Sequence, residues 1–316
     1  MAVVGTDLVI VERDGVLHKS TAGDIAGLAG GGSDPLVLSD DTPTTPDSDT
    51  VTVFRKAVAN RQMSAFVGPV GSHTVIQSFL ARNEVGIWLP SGNTNTTPVL
   101  FGIPSLSMLG FTATGRNVAT TSLFTRIRRM GYVTAATAGT VGNFRAASAQ
   151  YTLGTGSLGG FFYVVRFGIS DAATVAGARM FMGMVNKTSM SNEEPSALIN
   201  AIGIGHGASD TNFKIYYAGT TPQAPINLGA NFPCNTRNTD MYELALFAPV
   251  DSAVCHYEVT RLNTGHVATG TLTGTAGVAL PSSSTLLAAP WGYRTNNATA
   301  LAVGLDVASV YIETDY

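Results

Sequence analysis

The sequence predicts a mainly β protein whose largest part is an antiparallel, jelly-roll-type sandwich. Among the 316 residues, 35 are glycine, and threonine and alanine are abundant, so turns and residues that favour strands recur along the chain. After residue 97, short apolar or alternating runs follow one another, separated by Gly, Asn, Asp or Pro at the spacing of a β-sandwich. No amphipathic helix interrupts them, which favours antiparallel sheets over βαβ units.

Ten of these runs are predicted as strands: 131–134, 161–167, 178–185, 199–204, 213–217, 242–248, 254–262, 268–273, 301–307 and 309–314. A G-x-G-x-x-G pattern stands at 154–159, just before one of them. In dinucleotide-binding folds that pattern leads into a helix, whereas here a strand candidate follows from Phe161. We therefore interpret the pattern as a hairpin loop.

The N-terminal residues predict a small unit of a β-hairpin and a short helix. Two apolar runs flank an Asp14-Gly15 turn, and Thr21 is a candidate N-cap for a helix over 22–28, which Gly30 to Gly32 end. About 30 residues bury too little surface to be stable alone, so this unit is expected to dock onto another protein. The side chains expected to mediate docking are Leu8, Ile10, Val16, Leu17, Thr21, Asp24, Ile25 and Leu28.

Four segments are predicted along the chain. Residues 1–29 form the docking unit, and 30–50 form a linker rich in Gly, Pro, Thr and Asp. Residues 51–90 form a connector with a strand over 51–54 and a helix-compatible run over 75–83. Residues 91–316 form the β-sandwich.

The charge balance excludes several classes of partner. Lys and Arg number 18 against 21 Asp and Glu, a net charge of −3 that offers no basic excess for a nucleic acid. The apolar runs are far shorter than the roughly 18 residues of a membrane span, so no membrane insertion is expected. The first ten residues lack the basic n-region of a secretory signal, and synthesis in the cytoplasm is expected.

Residues that could carry catalysis or bind a metal do not form a recognisable motif. Cys234 and Cys255 are expected to be unbridged thiols. With His256 they resemble part of a zinc deaminase signature, but Arg237 stands where its second Cys belongs. No pattern places two carboxylates together among Glu193, Glu194, Asp210, Asp240, Glu243 and Asp306. We expect no cofactor, no metal and no enzymatic activity.

Two polar segments are candidates for a recognition surface. The first, 227–240, is dense in side chains that donate and accept hydrogen bonds, and its candidate ligand-binding residues are Asn231, Arg237, Asn238 and Asp240. The second, 290–297, places Trp291 and Tyr293 beside amide side chains, which suits a sugar ring that stacks on aromatic groups. The alternative is that Trp291 fills one end of the core and the asparagines satisfy turns.

Two stretches of the chain carry a family resemblance. Residues 5–25 resemble the N-terminal segment of tailed-bacteriophage structural proteins, especially tail fibres, through Lys19, Thr21, Ala22, Asp24 and Ile25. Residues 100–316 resemble phage adhesin domains with a concanavalin-like or laminin-like (lectin-like) β-sandwich. The residues that carry this second resemblance are 159–168, 202–205, 242–247 and 311–314.

The resemblance implies a virion protein, assembled in the host cytoplasm. The N-terminal segment would bind other virion proteins, and the sandwich would be presented as a homotrimer for attachment to a host-surface glycan. A head fibre, capsid decoration or collar protein with a purely structural role is the alternative. A polysaccharide depolymerase is a third reading.

Overall fold

The computed structural model describes residues 8–13, 16–21, 43–46, 50–68, 73–75, 84–92, 95–103, 106–187, 189 and 192–314, with backbone only at 8–13, 16–21 and 73–75. The chain divides into two compact units. The first comprises residues 1–55 and 64–74, and the second comprises 56–63 and 75–316.

The N-terminal hairpin predicted from the sequence is confirmed. Strands β1 (Leu8–Arg13) and β2 (Val16–Thr21) pair antiparallel, with Leu8 opposite Thr21 and Arg13 opposite Val16. The predicted helix over 22–28 and most of the predicted linker lie outside the described residues.

A second small sheet follows, with three strands in the order β3 (Thr52–Val58), β4 (Arg61–Val67) and β5 (His73–Val75). The predicted strand over 51–54 is confirmed and extends to Val58. Residues 56–63, at the tip of the β3–β4 hairpin, belong to the second unit. Of the predicted helix over 75–83, Val75 ends β5 and the remainder lies outside the described residues.

The second unit is a sandwich of two antiparallel sheets, as the sequence predicts. In the described part of the chain, sheet I has nine strands: β6 (Glu84–Pro90), β7 (Pro98–Phe101), β9 (Phe111–Gly115), β10 (Met130–Thr134), β12 (Phe161–Ile169), β17 (Tyr242–Ala248), β18 (Cys255–Arg261), β19 (His266–Leu272) and β21 (Gly304–Thr314). Sheet II has seven: β8 (Leu106–Leu109), β11 (Val141–Ala146), β13 (Arg179–Val185), β14 (Ala201–His206), β15 (Lys214–Ala218), β16 (Ile226–Asn227) and β20 (Ala288–Thr295).

The strand order of each sheet places β12 and β21 at the centre of sheet I and β13 and β20 at the centre of sheet II. Sheet I runs β19-β18-β17-β12-β21-β10-β9, and β6 pairs with the second half of β21 and with β7. Sheet II runs β16-β15-β14-β13-β20-β11-β8. Because β6 belongs to sheet I, the sandwich begins before residue 91, where the sequence placed its start.

The core lies between the two sheets and follows from the alternation of side chains along each strand. On β12, Phe161, Tyr163, Val165 and Phe167 are buried and pack in the central cluster, whereas Arg166 is exposed. Met180, Met182 and Met184 of β13 reach the same cluster from sheet II. Burial of these apolar side chains is the main favourable term for joining the sheets.

Two predicted strands, 301–307 and 309–314, form the single strand β21. Its register against β12 shifts between Arg166 and Phe167, because β21 carries one extra residue at this point. The predicted hairpin loop at 154–159 is confirmed: Thr155 and Leu158 bridge each other, and Gly156 and Ser157 have φ of 57° and 67°.

A strap formed by residues 116–129 covers part of the outer face of sheet I. It contains the short helix α1 (Leu123–Arg126), whose Phe124 is buried against Met241 and Ala308. Among the described residues, no helix has the length and apolar character needed to span a bilayer.

A buried carboxylate holds this strap to sheet I. Asp306 of β21 is fully buried and accepts from Arg129 Nε at 2.8 Å and from Arg116 Nε at 3.2 Å. An added Cβ at Gly131, opposite Asp306, would lie 2.4 Å from Arg116 Nε, so glycine is needed for this approach. Arg129 and Asp306 are nearly excluded from water, so removal of one side chain leaves the charge of the other buried without compensation.

We predict that Asp306→Asn lowers the free energy of unfolding by about 3 to 5 kcal/mol, because it leaves the buried Arg129 without its counter-charge. The matched control is Glu243→Gln, which removes the carboxylate partner of the half-exposed Arg166 in the same sheet and should cost under about 1 kcal/mol. Denaturant unfolding of both variants measures the difference. Equal losses would contradict the assignment of Asp306 as a buried anchor.

Candidate functional site

One end of the sandwich carries a cleft formed by loops from both sheets. Strand β12 of sheet I leads into residues 170–178, and β14 of sheet II leads into 207–213. Residues 228–241, which precede β17, and the last residues of β20 complete the cleft. Because these strands end at the same rim, side chains that are distant in sequence meet there.

The floor of the cleft is a buried ion pair that joins the two sheets. Arg294 of β20 donates through Nε to Asp171 Oδ1 at 2.9 Å and also binds Asp171 Oδ2 through Nη2. Asp171 Oδ1 accepts a further hydrogen bond of 2.7 Å from the backbone N–H of Gly304 at the start of β21. Both side chains are almost fully buried, so the two-point geometry and the extra hydrogen bond are needed to offset their desolvation.

His206, at the end of β14, extends the ion pair. Its Nε2 lies 3.0 Å from Arg294 Nη1, and its Nδ1 lies 3.1 Å from the carbonyl oxygen of Gly207. Since a guanidinium only donates, Nε2 must accept and Nδ1 must carry the proton. Burial, together with the charge of Arg294, lowers the pKa of His206 to about 4, so the imidazole is neutral at physiological pH.

The cleft above this floor has a volume of about 210 Å³. It is smaller than the roughly 300 to 1,000 Å³ of pockets that enclose drug-sized molecules, so it accommodates a single compact polar group such as one ring. Its lining combines donors and acceptors with a comparable share of apolar groups, among them Ile169 and Val175. Ala176 lies at the open rim. The lining residues with polar side chains are Asp171, Thr174, His206, Ser209, Asp210, Asn235, Arg237 and Arg294.

A second, more polar cleft of about 260 Å³ shares Ser209 and Asp210 with the first. Asp210 accepts hydrogen bonds from the Gly207 N–H at 2.8 Å and from Tyr216 Oη at 2.9 Å, and Lys214 Nζ lies 2.6 Å from it. Burial disfavours the charged form of Asp210, but hydrogen bonds from Lys214, Gly207 and Tyr216 outweigh it and lower its pKa. Asp210 is therefore an ionised acceptor between the two clefts.

The thiol of Cys234 lines the first cleft and is unreactive at neutral pH. Burial raises its pKa to about 11, and its Sγ donates to the carbonyl oxygen of Asp210 at 3.1 Å. Cys255 is also buried, and the two cysteines are not bonded to each other. Within the described residues, no group of three or more His, Cys, Asp or Glu side chains is arranged to hold a metal ion.

One of the predicted ligand-binding residues, Arg237, lines this cleft, and a second, Asn238, contacts the loop that forms its wall. Arg237 lines it and donates through Nη1 to the carbonyl oxygens of Ala172 at 2.7 Å and Asp171 at 3.4 Å. Asn238 donates to the same Asp171 carbonyl oxygen at 3.2 Å. Both side chains hold the 228–241 loop against the 170–178 loop, a positioning role that the sequence did not predict.

The other two predicted residues of this loop lie around Arg261 of β18. Arg261 donates through Nη1 to the backbone oxygen of Asn231 at 3.3 Å, and its Nη2 lies 2.9 Å from the buried carboxylate of Asp240. Neither Asn231 nor Asp240 lines the cleft. Of the predicted set of four, Arg237 alone lines the cleft, Asn238 supports its wall, and Asn231 and Asp240 belong to a neighbouring structural contact.

The predicted stacking surface of Trp291 and Tyr293 is corrected by the structure. Residues 290–295 of the predicted segment belong to β20, a central strand of sheet II. Both rings are fully buried in a second apolar cluster on the face of the sheet opposite the central core, where Trp291 packs edge-on against Phe181 at 6.0 Å. Tyr293 Oη donates to the carbonyl oxygen of Glu193 at 2.7 Å, so neither ring offers a face to a ligand.

Sequence reasoning missed the residues of the cleft floor. Asp171 follows a strand candidate without any motif, and His206 stands between two glycines, a context typical of a turn. Arg294 lies in the polar segment 290–297, in which only Trp291 and Tyr293 were predicted to bind a ligand. The one feature that these three residues share in the sequence is that each stands at or near the end of a strand. That feature does not predict which strand ends lie together in the fold.

Comparisons with known proteins identify no family for this chain. No family model matches it, and no curated protein matches it in sequence. It is similar in structure to arcelin-5, a lectin-like defense protein from Phaseolus vulgaris, with 8% identity and a TM-score of 0.47 over 73% of this chain and 98% of the other. Lectin II from Ulex europaeus gives 12% identity and a TM-score of 0.46 over 74% and 100%. A protein of unknown function from Shewanella oneidensis MR-1 gives 11% and 0.43 over 73% and 85%.

We predict that His206 makes the protein less stable in acid. The unfolded chain takes up a proton on this residue near pH 6.5, whereas the folded chain does so only near pH 4, so stability is full above about pH 6.5 and falls as the pH drops to 4. The shift corresponds to roughly 3 kcal/mol. His206→Gln, which retains one donor and one acceptor, should lose less stability between pH 7 and pH 4.5 than the wild type does.

The matched control is His266→Gln at an exposed position of β19, which should keep the wild-type pH dependence. Urea unfolding at each pH provides the comparison. An unchanged acid sensitivity in His206→Gln would show that other groups cause it.

Proposed function

We propose that this chain is a virion attachment protein whose β-sandwich binds a host-surface glycan in the cleft between loops 170–178, 207–213 and 228–241. The N-terminal hairpin would attach the chain to other virion proteins, as the resemblance of residues 5–25 implies. The observation that carries the binding half of the proposal is the cleft itself. It is a concave surface of mixed polar and apolar character, and the charges of Asp171 and Arg294 in its floor already pair with each other.

The chemistry of the rim suits a ligand with many hydroxyl groups. A sugar hydroxyl both donates and accepts, and the rim offers the exposed amide of Asn235, the hydroxyls of Ser209 and Thr174, and the ionised carboxylate of Asp210. Arg294 is neutralised by Asp171, so the floor presents no free positive charge to an anionic ligand. A neutral, sugar-sized ligand is favoured, because the lining carries both the ionised carboxylate of Asp210 and the guanidinium of Arg237 and so has no excess of one charge.

The same groups support binding rather than catalysis. A general acid or base works best when its pKa lies near the operating pH, whereas the pKa of His206 is about 4 and that of Asp210 is lowered. A nucleophilic cysteine needs a lowered pKa, and that of Cys234 is raised to about 11. What favours binding over a depolymerase is that neither the imidazole of His206 nor the thiol of Cys234 is suited to act as a general acid or a nucleophile at neutral pH.

The purified protein provides the test, with arrayed bacterial surface polysaccharides and neutral oligosaccharides as probes. Asn235→Ala should lower affinity about tenfold or more, which is the effect of losing one or two hydrogen bonds. Ala176→Trp, at an exposed position on the rim, should abolish binding by filling the cleft. Asn231→Ala, an exposed asparagine of the same loop that does not line the cleft, is the matched control and should bind like the wild type.

Absence of binding to every probe, or equal binding by Asn231→Ala, Asn235→Ala and Ala176→Trp, would contradict the proposed site. The purely structural alternative, a head fibre, decoration or collar protein, predicts the first of these results. The position of the protein in a reconstruction of the particle distinguishes an attachment fibre from those roles.

A further inference from the structure

One flank of the sandwich is formed by a segment without any charged side chain. Residues 85–115 contain no Asp, Glu, Lys, Arg or His, between Glu84 and Arg116. The segment supplies β6, β7, β8 and β9, and so contributes to both sheets.

In the described part of the chain, three strands of this segment lie at a sheet edge, and two of them, β7 and β8, expose several large apolar side chains. Among the described strands, β7 pairs with β6 alone and β8 pairs with β11 alone. The outer side of each strand therefore leaves backbone N–H and C=O groups available for another strand. Proteins commonly protect such edges with Lys, Glu or Pro, whereas here the one protecting residue in these strands is Pro98, at the start of β7.

The open edges also expose large apolar side chains, which we call the apolar flank: Val99, Leu100, Phe101, Met108 and Leu109. Phe101 is 65% exposed, and the other four are between 39% and 53% exposed. Scattered exposed apolar residues are ordinary, but these five are concentrated in two uncharged edge strands, a combination that favours association with another chain.

The two edge strands lie on the same side of the sandwich. Trp88 of β6 is opposite Leu100 of β7, and Phe144 of β11 is opposite Met108 of β8. The rings of Trp88 and Phe144 meet across the core at 5.9 Å, which brings the two edges together. A partner that covers one edge therefore reaches the other.

We propose that the apolar flank is the contact between copies of this chain. A partner that relies on charge finds none to match in this segment, whereas a second copy supplies the same uncharged apolar strands and places no like charges together. Residues 95–103 and 106–115 approach the roughly 20 residues per side of a standard interface. Contact around a two-fold axis gives a dimer, and contact of β7 with β8 of the next copy around a three-fold axis gives a trimer.

Light scattering coupled to size exclusion measures the mass of the full chain over a range of concentrations. The wild type should have two or three times the monomer mass of 32.8 kDa. The double variant Phe101→Lys/Leu109→Lys should have the monomer mass, because it places like charges across the contact. Val267→Lys is the matched control: Val267 is 55% exposed on β19, the edge strand on the opposite side of sheet I, and this variant should keep the wild-type mass.

Hydrogen exchange on the wild type gives a second reading that does not depend on the variants folding. Amides of β7 and β8 should become protected as concentration rises, while those of β19 should not change. A wild type that is monomeric at all concentrations, or a folded double variant that keeps the assembled mass, would overturn the proposal. Protection confined to β19 would assign the contact to the other edge.

Discussion

The ion pair between Asp171 and Arg294 is the constraint on which the candidate site depends. Arg294 lies in a central strand of sheet II, and Asp171 follows a central strand of sheet I and binds the first amide of β21. Two charges that are nearly excluded from water are stable only while each satisfies the other, so the rims of the two sheets are held at one separation. The backbone of Asp171 then receives Arg237 and Asn238, which fixes the remaining wall of the cleft.

The fold was predictable where side chains alternate strongly. The strand expected over 242–248 has those bounds. Leu244 and Leu246 on one face pack in the central core, whereas Glu243 and Phe247 on the other face are partly exposed. β20 was not predicted. It is buried on both faces, between the central core and the cluster around Trp291, so its sequence carries no alternation, and Pro290 together with the asparagines after Thr295 is typical of a turn. The cluster around Trp291, which buries the second face of β20, forms from residues distant in sequence and cannot be recognised in the local pattern.

The candidate site was predictable only in part, for a related reason. Arg237 was found because it stands in a short segment dense in polar side chains. Asp171, His206 and Arg294 are separated by tens of residues, and their meeting depends on the order of strands in two sheets, which a local pattern does not specify. Trp291 and Tyr293 were misjudged because aromatic residues beside asparagine suit a sugar site and a buried strand end equally well.

The central claim is that Asp171 and Arg294 act as a unit, and a double-mutant cycle tests it most directly. Asp171→Asn and Arg294→Met each leave one buried charge unpaired and should each lower the free energy of unfolding by about 3 to 5 kcal/mol. The double variant removes both charges, so its loss should be smaller than the sum of the single losses by about 2 kcal/mol or more. Losses that add within about 0.5 kcal/mol would contradict the account, because they would mean that the two residues stabilise the fold independently.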